Sequence, residues 1–117
     1  MQRLTVSYGD NVRLFDKLLN VEGNFDILKK VLAVGKDELT LYYIDGFVKD
    51  AVMQKLMLSI QSLDGLGKSA PDAARRFMIS HVPYVETELC ESVDAMIGMV
   101  LSGATVMLGS KFGDTAI

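Results

Sequence analysis

The strongest apolar pattern lies in the middle of the chain. Residues 39–44 combine Leu, Thr, Tyr and Ile and predict a strand, because β-branched and aromatic side chains favour a pleated, half-buried surface. The Asp45-Gly46 step closes this strand, since both residues tolerate turn conformations. From residue 48 to residue 63 the apolar positions recur at helical spacing, which predicts an amphipathic helix packed on the sheet.

The N-terminal part of the chain predicts a helix followed by a partner strand. Asp10 is the predicted N-cap of the helix, and its apolar face consists of Val12, Phe15, Leu18 and Leu19. Residues 25–34 fit helical spacing about as well as strand alternation. We favour a strand, because the compact turn at residues 35–37 then joins it to the next strand in a β-hairpin.

A glycine-rich loop at residues 64–70 precedes a second predicted helix. Ser69 is its predicted N-cap, with Pro71 in the first turn and Asp72 near the positive end of the helix dipole. Pro83 ends this helix, because proline cannot continue it. Residues 84–89 then alternate in polarity, which predicts a short strand with one acidic, solvated face.

The C-terminal part contains the clearest helix of the sequence. Ser92 is its predicted N-cap and Ser102-Gly103 its predicted end, and the apolar positions between them fit the helical template without a miss. Residues 105–108 predict a strand, residues 109–113 a turn, and residues 114–117 the start of a further strand. Because a domain rarely ends inside a pairing element, we expect this chain to be part of a longer protein.

Together these elements predict an α/β fold in one small domain, residues 1–117. The strand, helix, strand order from residue 84 to residue 108 predicts a right-handed crossover between parallel strands. Combined with the hairpin, it predicts a mixed β-sheet of about four or five strands packed with helices.

Composition narrows the class of protein. Half of the 117 residues are hydrophobic, which is enough to form a core, and 23% are charged. The net charge is −3 and the basic residues are scattered, which argues against a nucleic-acid partner. The single cysteine, Cys90, excludes an internal disulfide. The longest apolar run, residues 95–108, is shorter than the roughly 20 residues that a membrane helix needs.

Two sets of side chains were candidates for metal or acid–base chemistry. His81 and Cys90 lack the further ligands at recognisable spacing that a zinc site requires, so we interpret both as structural or surface residues. Glu86, Glu88 and Glu91 are explained by the solvated face of a strand. The seven methionines lie mostly at positions typical of a helix core.

Residues 65–69, Gly-Leu-Gly-Lys-Ser, have the composition of a phosphate-binding loop. They lack the first glycine of a Walker A motif and follow a helix rather than a strand, so the context does not fit. No nucleophile with an adjacent base can be assembled from the sequence. We therefore expect a protein that is not an enzyme and that uses no cofactor or metal.

Three segments carry a resemblance to one known family. Residues 42–50, Tyr-Tyr-Ile-Asp-Gly-Phe-Val-Lys-Asp, resemble the YIDGLVD signature of the GerA family, the A subunits of bacterial spore germinant receptors. Residues 24–27 resemble the segment that precedes this signature, and residues 101–108 are similar to the family's LSGxTVLL segment. Phe47 replaces the usual leucine, and Ala104 stands where aspartate is common. The sporulation protein SpoVAF belongs to the same family, and the motifs do not separate the two branches.

The resemblance implies where this chain would act. It would be the first of two α/β subdomains in the soluble N-terminal region of a membrane protein, which assembles with B and C subunits in the inner spore membrane. The soluble region is expected on the cytoplasmic side, and only the rest of the chain would enter the membrane. The motif residues are expected to be structural; they are Tyr43, Ile44, Asp45, Gly46, Ser102 and Gly103.

Two functions follow from the resemblance as hypotheses. The first is a non-catalytic module for receptor assembly and signal coupling in germination triggered by nutrients. The alternative is a domain that binds the small-molecule germinant, with a pocket at the sheet edge near Asp45 and residues 65–69. A titration with germinant amino acids and sugars separates the two.

Overall fold

The computed structural model describes residues 2–23, 26–44, 50–67, 72–82, 87–113 and 116–117. It confirms the predicted α/β class, with helices packed on a small sheet. The elements are α1 (Tyr8–Leu18), β1 (Ile27–Val34), β2 (Asp37–Ile44), α2 (Asp50–Gln61), α3 (Ala73–His81), α4 (Val93–Leu101) and β3 (Val106–Gly109).

The three strands lie in the order β1-β2-β3, and both pairings are antiparallel. The choice of a strand for β1 is confirmed, because β1 and β2 pair along their whole length from Val34↔Asp37 to Ile27↔Ile44. Gly35 and Lys36 form the turn between them, and Gly35 has a φ of 61° that glycine adopts at low cost.

The expected crossover between parallel strands is wrong for the part of the chain that the structure describes. Residues 87–89 form no strand, residues 84–86 lie outside the described residues, and β3 runs antiparallel to β2. Short pairings replace the additional strands: Met107 and Ile117 exchange two backbone hydrogen bonds, and Ala116 forms an isolated bridge with Cys90. The described sheet therefore has three strands, slightly fewer than the four or five predicted.

The sheet separates two apolar cores. Alternate residues of β2 point to opposite faces, as a pleated strand requires. Leu39, Leu41 and Tyr43 join the core under α2 and α3, whereas Tyr42 joins the core under α1 and α4. Both faces of the sheet are thus covered by helices.

Serine side chains begin two of the helices. Ser7, rather than the predicted Asp10, is the N-cap of α1, and its hydroxyl accepts the N–H of Asp10 at 3.3 Å. Ser92 is the N-cap of α4 as predicted, and Ser102 is its C-cap, followed by Gly103 with a φ of 107°.

The start of α3 differs from the prediction. Asp72 precedes the first helical residue, so Asp72 is the N-cap position rather than a residue inside the first turn. The predicted N-cap Ser69 and Pro71 lie outside the described residues. Across the described ranges, no helix combines the length and apolar character needed to cross a membrane.

Candidate functional site

The residues of the resembling motifs occupy positions inside the fold. Tyr43 is buried in the core beneath α2, and Ile44 packs, partly buried, against the opposite core. Asp45 and Gly46 lie outside the described residues. Ser102 and Gly103 end α4, where the Ser102 hydroxyl donates to the Gly98 carbonyl at 2.9 Å.

The fold brings described residues of all three motif segments onto one sheet, where Ile27 lies opposite Ile44. The strand that leads into residues 43–46 is β2, and the strand that follows Ser102 and Gly103 is β3. They are hydrogen-bonded neighbours, with Tyr42 opposite Val106 and Thr40 opposite Leu108. Segments about sixty residues apart in sequence therefore form adjacent strands of one sheet.

A cavity of about 800 Å³, which we call the main cavity, opens among the described residues. It lies between α2, α4 and the start of β3, and Gly103 is one of its lining residues. Four of its described lining residues are methionines, whose flexible thioether side chains can adapt to different shapes. Its principal apolar lining residues are Met53, Leu56, Met96, Met99, Met107 and Ile117.

The charges around the main cavity limit what it can hold. Glu88 is the one charged side chain among the described lining residues, and no described Lys, Arg or His lines the wall. An anion would therefore find no opposite charge on the described part of the wall to offset its desolvation. The cavity suits an uncharged or cationic ligand better than an anion. Residues 65–67, which belonged to the predicted pocket, do not line it.

A second cavity, of about 510 Å³, is more polar and lies beside α3 and the segment before α4. Arg3 and Glu91 meet there at 3.6 Å, but both side chains are more than half exposed. An exposed ion pair contributes little free energy, so this pair does not mark a built binding site. Cys90 lines both cavities, and its thiol lies 3.6 Å from the Ser92 carbonyl oxygen.

The other candidate side chains do not assemble into one centre. The His81 ring lies beside Phe77, with 5.0 Å between centroids and a tilt of 51° between the ring planes. Within the described ranges, no three His, Cys, Asp or Glu side chains converge as metal ligands would. Glu86 lies outside those ranges, and Glu88 and Glu91 line different cavities.

The glycine-rich loop is held by a carboxylate. The Leu66 N–H donates to Asp37 Oδ2 at 2.8 Å, and Asp37 also lies 3.8 Å from the Lys111 ammonium. A carboxylate at the loop amide repels a phosphate, which argues against phosphate binding at this loop. Lys68 and Ser69 lie outside the described residues.

A partly buried polar network, which was not predicted from the sequence, lies between α1 and the sheet. The Tyr42 hydroxyl donates to Asp16 Oδ1 at 2.8 Å, and the Lys29 ammonium lies 2.7 Å from Asp16 Oδ2. Tyr8 and Thr40 form a second hydroxyl pair nearby. Burial raises the pKa of Tyr42 well above its usual value, and the hydrogen bond to Asp16 raises it further. This network fixes α1 on the sheet.

One comparison with known proteins identifies a shared fold. No protein-family model and no curated protein matches this sequence. The fold is nevertheless shared with a solved structure, the crystal structure of the N-terminal domain of the A subunit of the Bacillus megaterium spore germinant receptor GerK3. The TM-score is 0.68 at 15% sequence identity, and the match covers 98% of this chain and 46% of that chain. The chain thus spans less than half the length of the structure that it matches.

Proposed function

We propose that this chain is a non-catalytic domain of a spore germinant receptor A subunit in the GerA family. The observation that carries the proposal is the fold shared with the GerK3 A-subunit domain over 98% of the chain. The resembling motifs add independent support, because two of them occupy the neighbouring strands β2 and β3. We assign it the role of the first N-terminal subdomain, next to a second subdomain that the rest of the parent chain supplies.

In this proposal the domain contributes to receptor assembly and signal coupling in nutrient-triggered germination. Its partners are the second subdomain and the B and C subunits, at the cytoplasmic side of the inner spore membrane. The SpoVAF-type paralogue would place the same fold in the same membrane. The sheet is covered by helices on both faces. This packing supports a coupling role, because close-packed interiors transmit strain.

The proposal is tested in spores of the organism that encodes the chain. An in-frame deletion of the domain should leave spores that keep their heat resistance when amino acids, sugars and nucleosides are added. Reintroduction of the intact gene should restore the loss of heat resistance that parent spores show. An epitope-tagged A subunit should retain the B and C subunits after detergent extraction, and the deletion should lose them. Normal germination of the deletion strain would refute the proposal.

A second function, binding of a small germinant, is favoured by one observation, the main cavity of about 800 Å³. Its volume lies in the range of ligand pockets. The described wall has no cationic side chain, so the carboxylate of an amino acid would lack a partner in this part of the cavity. An uncharged germinant therefore fits the described wall better than an amino acid does.

Two tryptophan variants separate binding from coupling. Ala104→Trp places an indole at the cavity wall, whereas Ala95→Trp places one on the exposed face of α4. If the cavity binds a germinant, sugars or nucleosides should raise the midpoint of thermal unfolding of the parent chain and of Ala95→Trp, and not of Ala104→Trp. Absence of any saturable shift would refute the binding role and leave the coupling role intact.

A further inference from the structure

Among the described residues, no backbone group pairs with the outer edge of β1. The backbone groups of β1 that point to this edge can be identified from the hydrogen bonds on the opposite side of the sheet. Met107 exchanges both of its backbone hydrogen bonds with Ile117, so it has none left for its register partner Leu41. The N–H and C=O of Leu41 must then point to β1, where its partner is Lys30. Antiparallel pairs alternate between bonded and non-bonded, so the backbone groups of Lys29 and Val31 point away from the sheet.

A second observation leads to the same assignment at the other end of β1. The Ser110 N–H donates to the Glu38 carbonyl at 2.9 Å, so the backbone N–H and C=O of Glu38 point toward β3. The backbone groups of its register partner Ala33 therefore point away from the sheet as well. We call the outward N–H and C=O groups of Lys29, Val31 and Ala33 the β1 edge. From outside the sheet, no described backbone group bonds to the β1 edge.

Three side chains along β1 are exposed, and every charged side chain of this strand is positive. Val31 is 52% exposed, and Lys30 and Ala33 are also exposed. The strand contains Lys29 and Lys30 and no carboxylate. Lys29 is paired with Asp16, whereas no described carboxylate lies within ion-pair distance of Lys30 or of Lys36 in the adjoining turn.

These charges decide between possible occupants. Two copies of β1 joined edge to edge would bring four lysines onto one short ladder, and like charges opposite each other destabilise a sheet. We propose that the β1 edge binds an acidic, extended segment of a partner protein, which adds to the sheet as a fourth strand beside β1. Its backbone would bond to the β1 edge, its carboxylates would face Lys30 and Lys36, and a small apolar side chain would cover Val31. This inference goes beyond the proposed function and does not depend on it.

Amide hydrogen exchange of the chain tests the geometry before any ligand is added. The N–H groups of Lys30 and Leu32 should exchange slowly, because they bond to β2. The N–H groups of Lys29, Val31 and Ala33 should exchange quickly. Slow exchange of Val31 and Ala33 in the free chain would mean that the edge is already covered, and it would overturn the proposal.

The binding test uses the acetylated and amidated peptide Glu-Val-Thr-Val-Thr-Glu, with Lys-Val-Thr-Val-Thr-Lys as its matched control. The acidic peptide should slow exchange at Lys29, Val31 and Ala33 in a saturable way, and the effect should weaken as salt is added. The lysine peptide should have no effect. Protection elsewhere in the chain, equal effects of the two peptides, or no protection by the acidic peptide would each overturn the proposal.

Two charge-reversal variants locate the interaction. Lys30→Glu should weaken binding of the acidic peptide by about fivefold, because one attraction becomes a repulsion. Arg75→Glu is the control, since it makes the same charge change on an exposed residue of α3. Equal weakening by both variants would show attraction to the chain as a whole and would overturn the assignment to β1. Hydrogen exchange at Leu32 in each variant verifies that the sheet is intact.

Discussion

Gly35 occupies a position that no other residue fits. Its φ of 61° lies in the left-handed region, and a Cβ at this position would lie 1.7 Å from the Asp64 carbonyl oxygen. Gly35→Ala should therefore lower the free energy of unfolding by more than the roughly 1 to 2 kcal/mol that left-handed backbone costs alone. Urea unfolding monitored by circular dichroism measures the change.

The control for Gly35 is another glycine with nearly the same backbone. Gly113 has a φ of 64°, and an added Cβ there would meet no atom within 4 Å. Gly113→Ala should cost only the conformational part, about 1 to 2 kcal/mol. Equal costs for the two variants would contradict the close approach of the loop at Asp64 to the hairpin.

The Tyr42 hydroxyl makes stability sensitive to alkaline pH. Its pKa is raised above the usual 10.0 in the folded chain, mainly by burial. The resulting stabilisation is complete below pH 10 and declines as the pH rises above it, because the unfolded chain then releases the proton more readily. Tyr42→Phe should reduce this decline, measured as the difference between the two chains in urea unfolding from pH 8 to about pH 11.

The roles of neighbouring strand residues depend on which helix covers each face of the sheet, and this cannot be read from the sequence alone. Tyr42 and Tyr43 are adjacent and chemically identical, yet one bonds to Asp16 beneath α1 and the other packs in the core beneath α2. Strand alternation predicts that they face opposite sides. It does not predict which helix covers which side, and therefore it could not reveal the Asp16 and Lys29 partners.

At the scale of single elements, Ser7 and Ser92 perform the same task. Each hydroxyl accepts the backbone N–H of the residue three positions later at 3.3 Å. Ser7→Ala and Ser92→Ala should each lower the free energy of unfolding by about 1 kcal/mol. Ser102→Ala is the control, because its hydroxyl bonds to a carbonyl of its own helix rather than to an unpaired N–H. A loss for Ser102→Ala as large as that of the caps would contradict the capping argument.

Elements with local signals could be predicted, and those that depend on distant partners could not. The hairpin follows from Gly35 and the two flanking strands, and α4 from the Ser92 cap and the terminal Gly103. The residues after Pro83 alternate like a strand, but a strand needs a neighbour. Residues 87–89 find none among the described residues, and the isolated bridges lie just after them, at Cys90 with Ala116 and at Ser92 with Arg3. The cap of α1 was misplaced because Ser7 and Asp10 both have N-cap chemistry.

At the scale of the whole molecule, the class of fold was predictable and the main cavity was not. Helical and strand periodicities are enough to give the α/β class. The cavity arises where α2, α4 and β3 leave space between them, and its lining residues are Met53, Leu56, Met96 and Met107 among others. Each of these residues looked like an ordinary core residue in the sequence. Their common exposure to one space is a property of the packing alone.

The two cores share the strand β2, so we expect them to unfold together. Ile60 is fully buried beneath one face and Phe15 beneath the other. Ile60→Ala should cost about 2 to 5 kcal/mol and Phe15→Ala about 3 to 5 kcal/mol. Loss of either core removes the support of β2 on one side, and therefore both variants should shift the same single transition.

Two independent probes in the same unfolding experiment test whether the cores unfold in one transition. Circular dichroism reports the helices on both faces, and tyrosine fluorescence reports the surroundings of Tyr8, Tyr42 and Tyr43, since the chain has no tryptophan. The two curves should coincide in the parent chain and in each variant, while Leu58→Ala, at a side chain that is 67% exposed, should change little. If Ile60→Ala does not fold, Ile60→Val provides a milder test. Two separate transitions would show that each core is stable without the other, which would contradict the role of β2 as their common support.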